Sequence, residues 1–278
     1  MVGYANPSAL VTTAWVADRL GDETVRIVEV SLDAAGYGDG VIPGAVLWNL
    51  WGDLLDDQER VKDDPVAVAQ LLSRSGIQPD TTIVLYGDAA NWGAALAFWL
   101  LQAAGHRDVR LLDGGRQMWL DEGRPTTAEA SAITPTTYSL DALDRSRRAR
   151  RADVIDAVES GKALILDVRL RAEYDGELFR PSGPPSDGQR AGHIPGAVYV
   201  PWETAVNADG TFKSPEDLRA AYAAAGITGE REIMPYCTVG ARSGHTWFVL
   251  THLLGYPNVR LYDASWAEWG NRTDTPIE

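Results

Sequence analysis

A chain of 278 residues, 45% hydrophobic and 23% charged, has the length for one large or two ordinary globular domains with a full core. Its net charge of −14 argues against nucleic acid, whose binding needs Lys and Arg to neutralise phosphates, and means that an anionic substrate needs local cationic help. The single cysteine excludes an intrachain disulfide and the cysteine-based zinc sites, and it predicts a reducing, cytoplasmic setting. Residues 1–7 show no basic region leading into an apolar run, so no signal peptide is expected. The most apolar stretch, around 94–104, falls far short of the roughly 20 residues of a membrane span; it reads as a core helix, and no membrane partner is expected.

In chain order, Val25 to Val30 reads as a strand, followed by a Pro43-Gly44 turn and a brief strand. A helix from Pro65 to Arg74, a strand from Thr82 to Tyr86, a helix from Trp92 to Ala104 and a strand from Val109 to Leu112 follow. The same order then returns: strand Ala163 to Val168, turn Pro195-Gly196, helix Pro215 to Ala225, strand Glu232 to Tyr236, helix His245 to Leu254, strand Val259 to Tyr262.

The second series is a copy of the first. Ser75-Gly76-Ile77 aligns with Ala225-Gly226-Ile227, Tyr86 with Tyr236, Val109-Arg110-Leu111 with Val259-Arg260-Leu261, Asp113 with Asp263 and Trp119 with Trp269, all at an offset of 150. Ile42-Pro43-Gly44-Ala45-Val46 matches Ile194-Pro195-Gly196-Ala197-Val198, and Val28-Glu29-Val30 matches Leu166-Asp167-Val168. The unequal offsets place an insertion in the second copy, much of it Pro181 to Gly188. Strands alternating with helices predict an α/β fold in which each copy has a small parallel sheet covered on both faces, with ligands at the carboxyl ends of strands.

Cys237 falls at such an end, in Tyr236-Cys237-Thr238-Val239-Gly240-Ala241-Arg242-Ser243. The backbone N–H groups of a glycine-containing loop before a helix form an anion cradle, and a thiol there can have its pKa drawn below the free value of about 8.5. The alternative is a buried cysteine acting as a small hydrophobe. In the first copy Gly87 stands at the matching place and Asp88-Ala89-Ala90-Asn91-Trp92 follows, with no nucleophile.

These residues resemble the tandem-domain rhodanese family, of the thiosulfate sulfurtransferase type. The resemblance rests on Gly192-His193-Ile194-Pro195-Gly196-Ala197, on Asp167-Val168-Arg169 with Glu173-Tyr174, on the Cys237 to Ser243 loop, and on Tyr262-Asp263, Ser265-Trp266 and Glu268-Trp269-Gly270. It implies two rhodanese-like domains: a non-catalytic one over 1–127, a linker over 128–151 and a catalytic one over 152–278. It further implies that the Cys237 thiolate takes the sulfane sulfur of thiosulfate, a small anionic donor, and passes it from a persulfide to cyanide, a small thiol or a protein thiol, with no cofactor. Two alternatives are a 3-mercaptopyruvate sulfurtransferase and a sulfur carrier loaded by a protein partner.

Loop length separates this from phosphatase chemistry, where five residues part the cysteine from the arginine; Thr238 to Ala241 are four. Family members specialised for thiosulfate carry a basic residue directly after the cysteine, and here that place is Thr238. Attraction for an anion therefore has to come from the loop amides of Thr238, Val239, Gly240, Ala241, Arg242 and Ser243, from the Arg242 side chain, or from Arg169 and Arg190. Arg242 can instead brace the loop against an acidic residue, and Arg169 can pair with a carboxylate. His193 is expected to hold its turn by hydrogen bonds. His245 and His252 lie seven residues apart, too far along a helix (about 10.5 Å) to share a metal, and none is expected. The basic run Arg145 to Arg151 reads as solvated linker, the tryptophans mostly as core, and Gly36, Gly38 and Gly40 make no dinucleotide fingerprint.

Overall fold

The computed structural model describes residues 3–33, 40–128 and 131–278; Gly36 and Gly38, together with part of the expected linker, lie outside the described residues. The first repeat forms β1 (Leu10–Val11), α1 (Thr13–Ala17), β2 (Val25–Ser31), β3 (Val46–Asn49), α2 (Pro65–Arg74), β4 (Thr82–Gly87), α3 (Trp92–Ala103), β5 (Val109–Leu112) and α4 (Gly115–Asp121). The second forms α5 (Arg151–Ser160), β6 (Leu164–Asp167), α6 (Arg171–Tyr174), β7 (Val198–Tyr199), α7 (Pro215–Ala224), β8 (Ile233–Tyr236), α8 (Ala241–Phe248) and α9 (Ser265–Trp269). Both sheets are wholly parallel, in the orders β1-β5-β4-β2-β3 and β7-β6-β8.

Local chemistry explains the matching helix starts. Asp64 caps α2 through Val66 N and Ser214 caps α7 through Asp217 N, each directly before a proline whose missing N–H costs nothing in a first turn.

The expected strand over 259–262 is reduced to isolated bridges. Ile233 and Arg260 do exchange parallel-ladder bonds with β8 and the segment beside it, and Tyr262 N donates to the Pro235 carbonyl. Pro235 has no N–H to return, so the ladder lacks its middle donor. The basic run is not free linker either. Arg148 and Ala149 are buried, Ala149 N and Leu261 N bond across to extend the second sheet, and Arg145, Arg148 and Arg150 converge on Asp63 of the first repeat.

Helices α3 and α8 occupy equivalent places in the repeats and pack against each other across the boundary. A Cβ on Gly244 would lie 3.0 Å from the Leu96 Cα, and the Phe98 and Phe248 rings meet edge-on at 4.9 Å. One apolar cluster accordingly runs through both repeats and includes Cys237. The insertion is anchored by buried Phe179, and its Arg180 pairs with Glu59 of the first repeat at 2.9 and 3.1 Å.

Candidate active site

The four residues of β8 are buried, and the chain leaves its carboxyl end at Cys237, which is 1% exposed. The thiol is therefore recessed, at the floor of a closed loop. Cys237 N donates to Ser265 Oγ at 3.0 Å, while the carbonyls of Cys237 and Thr238 accept from Trp266 N and Ala267 N. These bonds pin the outer side of the loop to α9. On the inner side, the amides of Thr238, Val239, Gly240, Ala241, Arg242 and Ser243 find no acceptor within the protein among the described residues. Unpaired amides in succession are costly unless something anionic is held there.

Gly240 makes the turn possible. Its φ is 89°, and a Cβ would approach the Asp263 carbonyl oxygen to 2.9 Å. The helix behind it starts at Ala241, one turn earlier than the expected His245, so residues 241–243 contribute first-turn amides and the helix dipole points at the sulfur.

The loop's polar side chains are already occupied. Arg242 spans Glu173 with both arms, at 2.6 and 2.9 Å, and also donates to Thr238 Oγ1 at 2.7 Å. Thr238 Oγ1 in turn donates to Glu173 at 2.7 Å. Burial pushes the Glu173 carboxyl up, but its bonds from Arg242 and Thr238 outweigh this and hold it below the usual range. Both members of the pair are charged and nearly inaccessible, so Arg242 takes the bracing role of its two alternatives.

Arg169 is fully buried, with Nε and Nη2 on Asp167 and Nη2 also on the Gly192 carbonyl at 2.7 Å. Tyr236 donates to the same Asp167 and accepts from Ile194 N. This network ties β6, β8 and the Gly-His-Ile-Pro turn together and leaves Arg169 Nη1 buried without a hydrogen-bond partner. Arg190 is half-buried and donates to Thr275 Oγ1 and the Trp269 carbonyl. His193 bonds the Tyr174 carbonyl and stacks on that ring at 3.7 Å, holding its turn. His245 has no partner for either ring nitrogen; burial among Phe212 and Trp202 pushes it down to about 3, so it is neutral.

The first repeat supplies the opposite wall. Trp92, at the start of α3, lies 5.7 Å under the Arg242 guanidinium and meets Trp202 edge-on at 4.8 Å. Its own strand end is closed: a Cβ on Gly87 would overlap the Val30 carbonyl oxygen, and Ala89, Ala90 and Asn91 all take positive φ. Glu29, Tyr86 and Arg116 repeat the Asp167, Tyr236 and Arg169 network there. Trp119 and Trp269 likewise donate to Pro125 and Pro276 carbonyls, equivalent architectural bonds.

The sequence reading quoted Glu173, Ser265 and Trp92 but gave them no role at the site, and it missed Trp202. The spacing Asp167-x-Arg169-x-x-x-Glu173 was the available signal for Glu173: it sends one carboxylate to the strand end and the next onto the first turn of α6.

A model of the rhodanese-like domain matches the chain twice, over residues 12–122 and 151–272. The sulfur carrier protein TtuD of Thermus thermophilus is 49% identical over 99% of this chain and 98% of its own. A protein named putative thiosulfate sulfurtransferase in Mycolicibacterium smegmatis is 45% identical over 99% of each. Among solved structures, the anaerobic ergothioneine biosynthesis enzyme of Chlorobium limicola, in complex with trimethyl histidine, superposes with a TM-score of 0.87 at 26% identity, covering 99% of this chain and 71% of that one. A cysteine-persulfide form of EanB with ergothioneine gives a TM-score of 0.88 at 25% identity and the same coverage.

Proposed function

The chain belongs to the rhodanese-like family, whose chemistry is sulfur transfer, and from that premise we propose that it works through a persulfide on Cys237 with thiosulfate as the small donor. In the first step the Cys237 thiolate attacks the outer sulfur of thiosulfate. The sulfur–sulfur bond of the donor breaks, and sulfite leaves with the bonding pair. In the second step cyanide or a thiolate attacks the terminal persulfide sulfur, Cys237 leaves as thiolate, and the product is thiocyanate or an acceptor persulfide.

The observation that carries this reading is the ring of unpaired amides from Thr238 to Ser243 around one recessed sulfur. Those donors are fixed before any substrate arrives, so they stabilise the terminal sulfur anion without reorganising; a single preorganised donor of this kind is worth about 10²–10³ in rate. Four residues between Cys237 and Arg242 make a ring suited to one terminal sulfur and too small for a phosphate tetrahedron.

A second reading, a persulfide carrier loaded by a protein donor, draws on two observations. No cationic side chain of the loop is free for a dianion, and the relative at 49% identity is named a sulfur carrier. Intact mass after thiosulfate treatment is expected to rise by one sulfur atom, and Cys237→Ser to show no gain. Loading by a protein persulfide alone, with thiosulfate inert, would replace the first reading by the second. No added sulfur from any donor would remove both.

A further inference from the structure

Glu173, Thr238 and Arg242 form a closed, buried triangle at the edge of the sulfur-binding loop. Two of its corners belong to the loop; the third is a carboxylate from α6. One of those loop corners, Thr238, is the residue directly after Cys237, and Arg242 is bonded to its hydroxyl. The remaining polar groups about the sulfur are balanced or neutral: Ser265 Oγ receives the Cys237 amide, and Asp167 is closed on Arg169 and Tyr236. Whatever charge the loop side chains present to a bound anion is thus decided between Arg242 and Glu173.

We propose that Glu173 is a positioning residue that ranks the donors: by holding both arms of Arg242 it cancels that cation, so the loop grips with amides alone, accepts the dianion thiosulfate only with a high KM, and binds a monoanionic persulfide more tightly. The proposal rests on the sulfur-transfer reading of Cys237 and adds the residue that ranks its donors. A dianion gains from an uncompensated cation nearby and loses most when that cation is paired. A monoanionic persulfide needs only the amide ring for its single terminal sulfur.

Glu173→Gln keeps the shape and removes the charge; its single oxygen serves one pair of the four donors now on the carboxylate (Thr238 with Arg242 Nη2, or Arg242 Nη1 with Leu170 N), and its amide group faces the other pair. Arg242 then acts on the sulfur unopposed. The pH midpoint of Cys237 alkylation is expected to move acidward by about one unit, the lower end of the effect of an unopposed neighbouring charge. The KM for thiosulfate is expected to fall about tenfold, the equivalent of one unit, with a smaller change in kcat.

In the double variant E173Q/R242Q the pair is neutral again, and both quantities are expected to return to the wild-type values. Neutral replacement of a whole buried pair is generally tolerated, so the double variant carries the test even if E173Q does not fold. A midpoint unmoved in E173Q, with kcat falling and KM constant, would mean that Glu173 only buttresses the loop and would overturn the proposal. So would a double variant whose midpoint departs from wild type by a unit in either direction. Alkylation needs no sulfur donor, so this result stands apart from the persulfide test: wild-type protein that takes sulfur from nothing sinks the function and leaves the charge measurement readable.

Discussion

Gly87 and Cys237 stand at matching strand ends, and only the second position has room for a side chain. At Gly87 the Val30 carbonyl occupies the space a Cβ needs, and the loop beyond it is wound through three left-handed non-glycine residues, with Asn91 Oδ1 accepting the Gly87 amide. The glycine at the first repeat's strand end is therefore required by the local structure. Gly87→Cys is expected to lower stability by about 1–3 kcal/mol through overpacking, seen as an earlier denaturant midpoint. Intact-mass alkylation is expected to report no second fast thiol. A variant with wild-type stability and two fast-reacting cysteines would show the site to be merely vacant. The place of Cys237 was legible because a lone cysteine stands between a strand and a glycine-containing turn, where the structure puts the closed loop. The partner of Arg242 was not: Glu173 lies 69 positions away, and only the fold brings α6 to the loop.

At the scale of elements, the two repeats hold each other by a reciprocal pair of contacts. The hairpin closed by Leu55 and Val61 sends its Val61 amide to Asp263 at 3.2 Å, and the equivalent hairpin closed by Val206 and Phe212 sends its Phe212 amide to Asp113 at 3.0 Å. The pairing of Asp113 with Asp263 could be seen at offset 150, but the hairpins could not, since each is a single bridge with no strand pattern to announce it. The carboxylates differ in their compensation. Asp263 has Arg148 at 3.1 Å, whereas Asp113 has no cation against it among the described residues. Burial pushes Asp113 up to about 6, with the Phe212 amide opposing. A raised acid pKa means the native state holds the proton more tightly, so stability falls as pH rises from about 4 to 6 and stays lower above that. Asp113→Asn keeps an oxygen for Phe212 and removes the ionisation. It is expected to gain on the order of 2 kcal/mol at pH 8 and almost nothing at pH 4, read from urea unfolding at both values. An equal gain at both would locate the effect outside this ionisation.

For the whole molecule, the duplicated architecture could be read from aligned segments, whereas the burial of α8 could not. Ala241 to Phe248 includes Arg242, Ser243, Gly244, His245 and Thr246, a composition that reads as partly solvated, yet every one of these residues is buried. Half of the reason is local, in the ion pair with Glu173; the other half is α3, whose apolar surface covers α8 from the repeat that lacks a nucleophile. The copy without a cysteine thus supplies core to the copy that carries Cys237, along with Trp92 against Arg242 of the loop. Two domains that share one apolar cluster should unfold together, because neither can expose its helix alone without losing the burial of both. Gly244 is where this coupling is tightest, with the Leu96 backbone 3.0 Å from a Cβ. Gly244→Val is expected to wedge α3 from α8, at a cost of about 1–3 kcal/mol. Calorimetry is expected to show one transition moved down in temperature, with thiosulfate turnover falling because the Cys237 loop rides on the first turn of α8. Two separate transitions, only one of them displaced, would show instead that each repeat keeps an independent core.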